Sequence, residues 1–287
     1  ASVHRAIPMH ILTIKKLNSK GEVEGLHQFV GLSSSVSYNR SPRDIPILRQ
    51  KVSNILKTSG FNPQGYSGKN LIQVLEHFPR DELFQASESE LLKIVTEVLD
   101  IDANRKIAVF VRPDVFSGML SCLIFLAKDR YTPDLKDAFE NVLSQWLKGA
   151  VVSSESYLGG FLHARFHFLL AVEPGQELNI DALKQKIEET SLSWTDRFLN
   201  QIAVHYSEEE SHLYATRYAN AFPLSYQERF SVEESLFDLK KIEACHDSGL
   251  QTLVYSSSSH GGSPGIKVKL YNKGTPVPLA VVLPIFK

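Results

Sequence analysis

Apolar positions along the chain switch between two periods, and the switch is clearest from Lys106 to Trp194. Lys106–Arg112 (KIAVFVR) is a β-branched apolar run, and Met119–Leu126 (MLSCLIFL) is another. Pro113, Asp114, Ser117 and Gly118 between them are turn residues, so two strands are predicted. Thr132 then suits an N-cap and Pro133 the first helical position, where a missing N–H costs nothing. Leu135, Ala138, Phe139, Val142, Leu143, Trp146 and Leu147 follow at helical spacing, and Gly149 is the predicted stop. Ala150–Tyr157 and Phe161–Val172 read as strands around Gly159 and Gly160, and Asn179 opens a second helix.

The last of these strands alternates strictly. Leu162, Ala164, Phe166, Phe168, Leu170 and Val172 share one face, and His163, Arg165 and His167 the other. One apolar and one polar face predict a sheet covered by helices on a single side. The order ββαββα with two helices on one face is an α+β, two-layer sandwich. It is a cyclic permutation of the ferredoxin-like βαββαβ order, which is also the order of ACT domains. Such a sandwich hosts many functions, so the fold alone assigns no activity.

Outside this module the pattern changes. Met9–Lys16 and Val23–Leu32 flank the turn Asn18-Ser19-Lys20-Gly21, which predicts a β-hairpin over 1–38. A lone hairpin is marginal in water, so it is expected to pack on other strands. Residues 39–104 read as helical. Ser41, Pro42 and Asp44 open a helix with the stripe Ile45, Leu48, Val52, Ile55 and Leu56, and Gly60 stops it. Leu71, Ile72, Val74, Leu75 and Phe78 form the next helix, ended by Pro79. Ser87 with Glu90 is a capping box for a third, carrying Leu91, Leu92, Val95, Val98 and Leu99. The sandwich is bounded at 105–200, and its last helix is expected to run on through Trp194, Phe198 and Ile202. A helical connector over 201–248 is signalled by three further boxes, Ser207/Glu210, Ser225/Glu228 and Ser231/Glu234. Leu250–Tyr255, Ile266–Tyr271 and the apolar Leu279–Phe286 repeat the start of the sandwich, so 249–287 is expected to begin a second, truncated module.

Composition narrows the function classes. Lys+Arg 31 against Asp+Glu 32 gives a net charge of −1, without the basic excess of a nucleic-acid binder. No apolar run is long enough to span a membrane, and no signal peptide is expected. Cys122 and Cys245 lie in apolar surroundings and read as buried thiols of a reducing, cytoplasmic compartment.

Candidate chemistry is sparse. Gly65-Tyr-Ser-Gly68-Lys69-Asn70 lacks the spacing of a phosphate loop and reads as a plain loop, and no dinucleotide fingerprint occurs. His163 and His167 would stand roughly 13 Å apart on a strand, too far for one metal ion. The charged turns Arg80-Asp81-Glu82 and Lys128-Asp129-Arg130 read either as caps and surface ion pairs or as docking points between modules. His163, Arg165 and His167 read as a solvated face or as a docking face whose acidic partners lie at 207–210. The docking candidates are therefore Arg80, Asp81, Asp129, Arg130, His163, Arg165 and His167, with no catalytic, cofactor-binding or metal residue.

Four stretches carry a resemblance: His27–Leu32 into YNRSPRDIPILRQKV (38–52), GKNLIQVLEHFPRDELFQ (68–85), FVRPDVFSGMLSCLIFLAKDRYTPDLKDAFENVL (110–143) and VKLYNKGTPVPLAVVLPIF (268–286). In these the chain resembles the amino-terminal, non-catalytic part of the large bacterial NAD-specific glutamate dehydrogenases. The resemblance implies a parent enzyme that converts L-glutamate, NAD and water to 2-oxoglutarate, ammonia and NADH. Its catalytic domains would lie downstream. It also implies ACT-like and PAS-like modules joined by helical motifs. The hairpin would end a PAS-like sheet, and the segment would serve assembly and regulation in a homo-oligomer. An amino-acid-sensing module with a small-molecule effector is the alternative. The glycine fingerprint and the glycine-flanked catalytic lysine of the family are absent, so no cofactor is expected to bind this segment itself.

Overall fold

A computed structural model describes residues 9–32, 39–101, 107–113, 118–159, 163–173, 179–257 and 265–286. The turn expected at 114–117, the middle of the loop at Gly160 and the Ser/Gly-rich loop at 258–264 lie outside these residues. The chain divides into two compact units, 1–191 and 192–287.

The first unit opens with the antiparallel hairpin β1 (His10–Leu17) and β2 (Val23–Gly31). Ile11 pairs with Val30 on one face, and Leu12 pairs with Phe29 on the other. All four side chains are exposed, so both faces of the hairpin are apolar and open.

Among the described residues four α-helices follow: α1 (Pro46–Ser59), α2 (Tyr66–Glu76), α3 (Arg80–Gln85) and α4 (Glu88–Leu99). Ser41 does cap a turn, but only a single 3-10 turn over Pro42–Asp44. Ile45 is extended between that turn and α1, because the ring of Pro46 drives the preceding residue out of the helical region. Gly60 stops α1 in the left-handed conformation, φ 70°. Helix α2 begins earlier than expected, at Tyr66, and Gly68 lies inside it. A Cβ at Gly68 would sit 2.1 Å from the Asn62 carbonyl oxygen, so glycine lets the preceding loop close onto the helix. The capping box Ser87/Glu90 is formed at α4.

Strands β3 (Ile107–Pro113), β4 (Met119–Ala127), β5 (Ala150–Tyr157) and β6 (His163–Ala171) form one antiparallel sheet in the order β3-β4-β6-β5. Helix α5 (Pro133–Leu147) separates the two strand pairs, and α6 (Ile180–Ser191) follows the last. Asn179 caps α6, its side chain accepting from the Ala182 N–H. Thr132 makes no side-chain cap bond at α5. At the other end Lys148, not Gly149, takes the left-handed conformation, with φ 47°. Gly149 has a different role. A Cβ there would lie 2.4 Å from the Ala171 carbonyl oxygen, where β5 starts against the end of β6.

One face of the sheet packs on α5 and α6. Ile107, Val109, Leu120, Cys122, Ile124, Phe166, Phe168 and Leu170 join Phe139, Leu143, Leu147, Leu183 and Ile187 in a single core. Burial pushes the Cys122 thiol up to about 12, so it stays protonated and inert. Trp146, placed by its spacing in the apolar stripe of this helix, is instead 40% exposed and does not enter this core.

The opposite face was expected to be free, and it is covered. Ala108, Phe110, Leu123, Phe125 and Ala127 pack against Leu48, Val52, Ile55, Leu71, Leu75, Leu83, Leu91 and Val95 from α1–α4. The sheet is thus the middle of three layers. The continuous apolar run of β4 is the strand pattern that burial on both faces requires.

In the second unit the predicted long helix is broken. Helix α7 (Trp194–His205) starts afresh with a capping box, Ser193 with Asp196. The stripe continues in register across the break but feeds different cores: Leu183 and Ile187 join the sheet, Phe198 and Ile202 the next bundle. That bundle adds α8 (Glu208–Tyr218), α9 (Leu224–Gln227) and α10 (Val232–Ser248) around Phe198, Ile202, Tyr218, Phe222 and Leu239. Boxes Ser207/Glu210 and Ser231/Glu234 are formed. Ser225 is no cap, since Pro223 already occupies that position and Ser225 lies within α9. Strands β7 (Gln251–Ser257) and β8 (Gly265–Tyr271) form a hairpin, and the segment after it starts with the short helix α11 (Leu279–Val282).

Candidate module-docking site

Where α1–α4 meet the sheet, the contact is apolar at β3 and β4 and polar at β6. The register explains the polar half. On the helix-covered face Leu123 pairs with His167, Phe125 with Arg165 and Ala127 with His163. Arg112 pairs with Ser121 on the same face. Charged groups on β6 are therefore carried into a buried layer by their apolar neighbours, and each needs a partner.

Helix α3 supplies the anionic one. Glu82 is buried and accepts a two-pronged bond from Arg112, at 2.9 Å from Nε and 2.8 Å from Nη2. Arg112 Nη2 also donates to Gln85 Oε1. His167 Nε2 lies 3.8 Å from the Glu82 carboxylate and 3.0 Å from Ser121 Oγ. Burial dominates its ionisation and pushes the imidazole down to about 4; Glu82 opposes this, and Arg165 and Arg112 reinforce it. At neutral pH His167 is a neutral hydrogen-bonding group.

The two remaining cations are held by the end of α2. Arg80 donates to the carbonyls of Glu76, Phe78 and Arg40. Arg165 donates to the His77 carbonyl and stacks its guanidinium 5.1 Å from the Tyr157 ring centre. The last carbonyls of a helix carry its negative end, so two guanidinium groups can share this spot. The cost remains visible in both: burial lowers Arg80, and lowers Arg165 to about 10. At the other end of α3, Lys51 donates to the carbonyls of Leu83, Phe84 and Ala86. A six-residue helix would not persist alone. Here it is clamped at both ends and pinned through Glu82.

The structure thus brings together Arg80, Arg165 and His167, and buries His163 on the same face. Asp81 is half-buried in the first turn of α3. Asp129 and Arg130 lie elsewhere: Asp129 is exposed, and Arg130 Nη2 donates to the Ser191 carbonyl at the end of α6. The acidic residues 208–210 belong to the first turn of α8, in the second unit. Of the decisive partners, Glu82 belongs to the charged turn read from sequence as a cap or docking point, whereas Arg112 and Ser121 were not singled out. An arginine and a serine on otherwise apolar strands were the available signal. Among the described residues no cluster of His, Cys, Asp or Glu could hold a metal ion, and no helix is long and apolar enough to cross a membrane.

The segments on either side of this seam match known families. Residues 45–104 match the family model described as glutamate dehydrogenase, helical motif 1, and residues 108–195 match glutamate dehydrogenase, ACT2 domain. Residues 201–245 match glutamate dehydrogenase, helical motif 2. The chain belongs to the glutamate dehydrogenase family. Within it, the chain is 34% identical to an NAD-specific glutamate dehydrogenase of Halomonas elongata over 290 aligned residues, which cover 100% of the chain and 18% of the relative. A Pseudomonas aeruginosa enzyme of the same name is 30% identical over 99% of the chain, again 18% of the relative. One from Mycobacterium tuberculosis is 26% identical over 82% of the chain and 15% of the relative. The chain is thus an amino-terminal segment that spans under a fifth of the family members it matches. The seam described above joins helical motif 1 to the ACT2 domain.

Proposed function

We propose that the chain is a non-catalytic assembly segment of a larger NAD-dependent glutamate dehydrogenase, an oxidoreductase of amino-acid catabolism. The parent enzyme would convert L-glutamate, NAD and water to 2-oxoglutarate, ammonia and NADH. NAD would bind the catalytic part of the chain and not this segment. The observation that carries the reading is the build of the first unit: its chemistry-bearing side chains, were they catalytic, would need access, yet Glu82, His163 and His167 are buried in a joint between two layers. Such a joint fixes one module on another and turns over nothing.

The strand order β3-β4-β6-β5 with helices after β4 and β6 supports a circularly permuted ferredoxin-like sandwich for 105–200. Helical motif 1 (39–104) docks on it, and Arg80, Arg165, His163 and His167 are docking residues in this reading. The open apolar hairpin of 1–38 fits the end of a PAS-like sheet, and 249–287 the start of another ACT-like module behind the connector 201–248. The assembly is a cytoplasmic homo-oligomer. Amino-acid sensing is the weaker reading. Two clefts, of about 440 Å³ beside Arg43, Arg49 and Ile72 and about 310 Å³ beside Ile242, Cys245 and Tyr271, are lined by residues outside the four-stranded sheet.

The test is NADH formation from glutamate by the purified chain. None is expected above a blank. Turnover that follows the chain through successive purification steps would overturn the proposal.

A further inference from the structure

In the second unit, the hairpin β7–β8 is attached to the helices in an unusual way. Its covered face carries Leu253, Tyr255, Lys269 and Tyr271, set by the register Gln251 to Tyr271 and Leu253 to Lys269. Yet the apolar core of the bundle draws no described side chain from either strand. The four-stranded sheet of the first unit, by contrast, enters two apolar cores at once.

The attachment is polar and converges on one group. Asp238, on α10, is 1% exposed. Its Oδ2 accepts from Lys269 Nζ at 2.7 Å and from the Tyr226 hydroxyl, and its Oδ1 accepts from the Tyr271 hydroxyl at 2.6 Å. Two of these donors, Lys269 and Tyr271, come from β8, and Tyr226 comes from α9. The Lys269 ammonium is also boxed by rings. It stands 3.7 Å from the Phe230 ring centre, 5.5 Å from that of Tyr226 and 5.6 Å from that of Tyr255. Quadrupoles of these rings favour the cation once water is removed. Close by, the Cys245 thiol donates to the Tyr271 carbonyl at 3.3 Å.

We propose that Asp238 is a charge latch: it fastens the β7–β8 hairpin to the helical segment, and loss of its charge frees the hairpin while the helices stay folded. The inference concerns the inside of the second unit and goes beyond the assembly reading. Its physical basis is the convergence of donors. Both contacts from β8 and the helix contact from Tyr226 end on one carboxylate, so removing one charge undoes all of them together. An amide in its place would leave a buried ammonium without a counter-charge. Its NH2 would also face a donor, and although a tyrosine hydroxyl can turn to accept, an ammonium cannot. Apolar packing would be lost piecemeal; a latch is lost at one point. A two-stranded hairpin has little stability of its own once released.

Hydrogen exchange on the whole 287-residue chain tests this, comparing wild type with Asp238→Asn and Lys269→Met. Lys269→Met keeps the apolar stem inside the ring box and removes the charge together with its hydrogen bond to Asp238. Amides of 251–257 and 265–271 are expected to exchange at least tenfold faster in both variants. Those of α7, α8 and the four-stranded sheet should be unchanged. Wild-type protection of the hairpin in both variants overturns the proposal. So does equal loss of protection across α7–α10, which would make Asp238 a support of the bundle itself. If Asp238→Asn does not fold, Lys269→Met decides by the same criteria.

Discussion

Acid should weaken the first unit through His167, and the size of the effect follows from its surroundings. The imidazole is buried between Glu82, Arg112, Arg165 and Ser121, and its folded value is about 4 against an ordinary 6.5. A histidine lowered on folding favours the neutral form. Its contribution is fully present above 6.5 and is lost as the pH falls through 4. At pH 5 the unfolded chain binds this proton almost completely and the folded chain only slightly, which costs about 2 kcal/mol by linkage. Well below pH 4 the loss reaches about 3.4 kcal/mol, the full difference between the two values. Glutamine at 167 keeps a hydrogen-bonding head without titrating. Opening free energies from hydrogen exchange of β4 and β6 amides, corrected for intrinsic rates, would be measured for wild type and His167→Gln between pH 7.5 and 5. Other titrating groups act on both proteins and cancel in the difference. The wild type should lose about 2 kcal/mol relative to the variant over that range. A difference that stays flat would refute the reasoning, since it would mean that His167 can take up a proton in the folded state without penalty.

Two further expectations concern the other face and the strand junction. Phe139→Ala, at a fully buried position of α5, should cost about 3–5 kcal/mol, while Trp146→Ala on the same helix should cost under about 1.5 kcal/mol because that residue is 40% exposed and lies outside the core; denaturant melts of the two variants would check the ranking. Gly149→Ala must push its methyl group against the Ala171 carbonyl at 2.4 Å, so a loss of about 1–3 kcal/mol is expected, with the exchange of β5 amides affected before that of β3.

Local pattern accounted for most of the elements. The strands of the central sheet, the stripe of α5, the cap at Asn179 and three of the capping boxes are set by neighbours within one turn or one strand, and each was legible from spacing. The failures share a cause. Serine at 225 is followed by a glutamate at 228, but whether it caps depends on where Pro223 has already started the helix. The stripe from Leu183 to Ile202 looks continuous, because periodicity cannot register that its two halves feed different cores.

The polar face of β6 is the sharpest case. Alternation correctly separated His163, Arg165 and His167 from the phenylalanines, and that is as far as a strand can specify itself. Polarity left two readings, a solvated face or a docking face with acidic partners at 207–210. The continuous apolar run of β4, the next strand in the sheet, already required cover on both faces, and what covers it comes from helices encoded earlier in the chain. Glu82 lies 30 residues before Arg112, and Arg165 reaches a carbonyl 88 residues before it. Sequence by itself determined which side chains share a face. Only the tertiary structure decided that this face meets a carboxylate and the carbonyl end of a helix, because the partner that makes a buried charge tolerable is chosen by long-range packing and leaves no local periodicity.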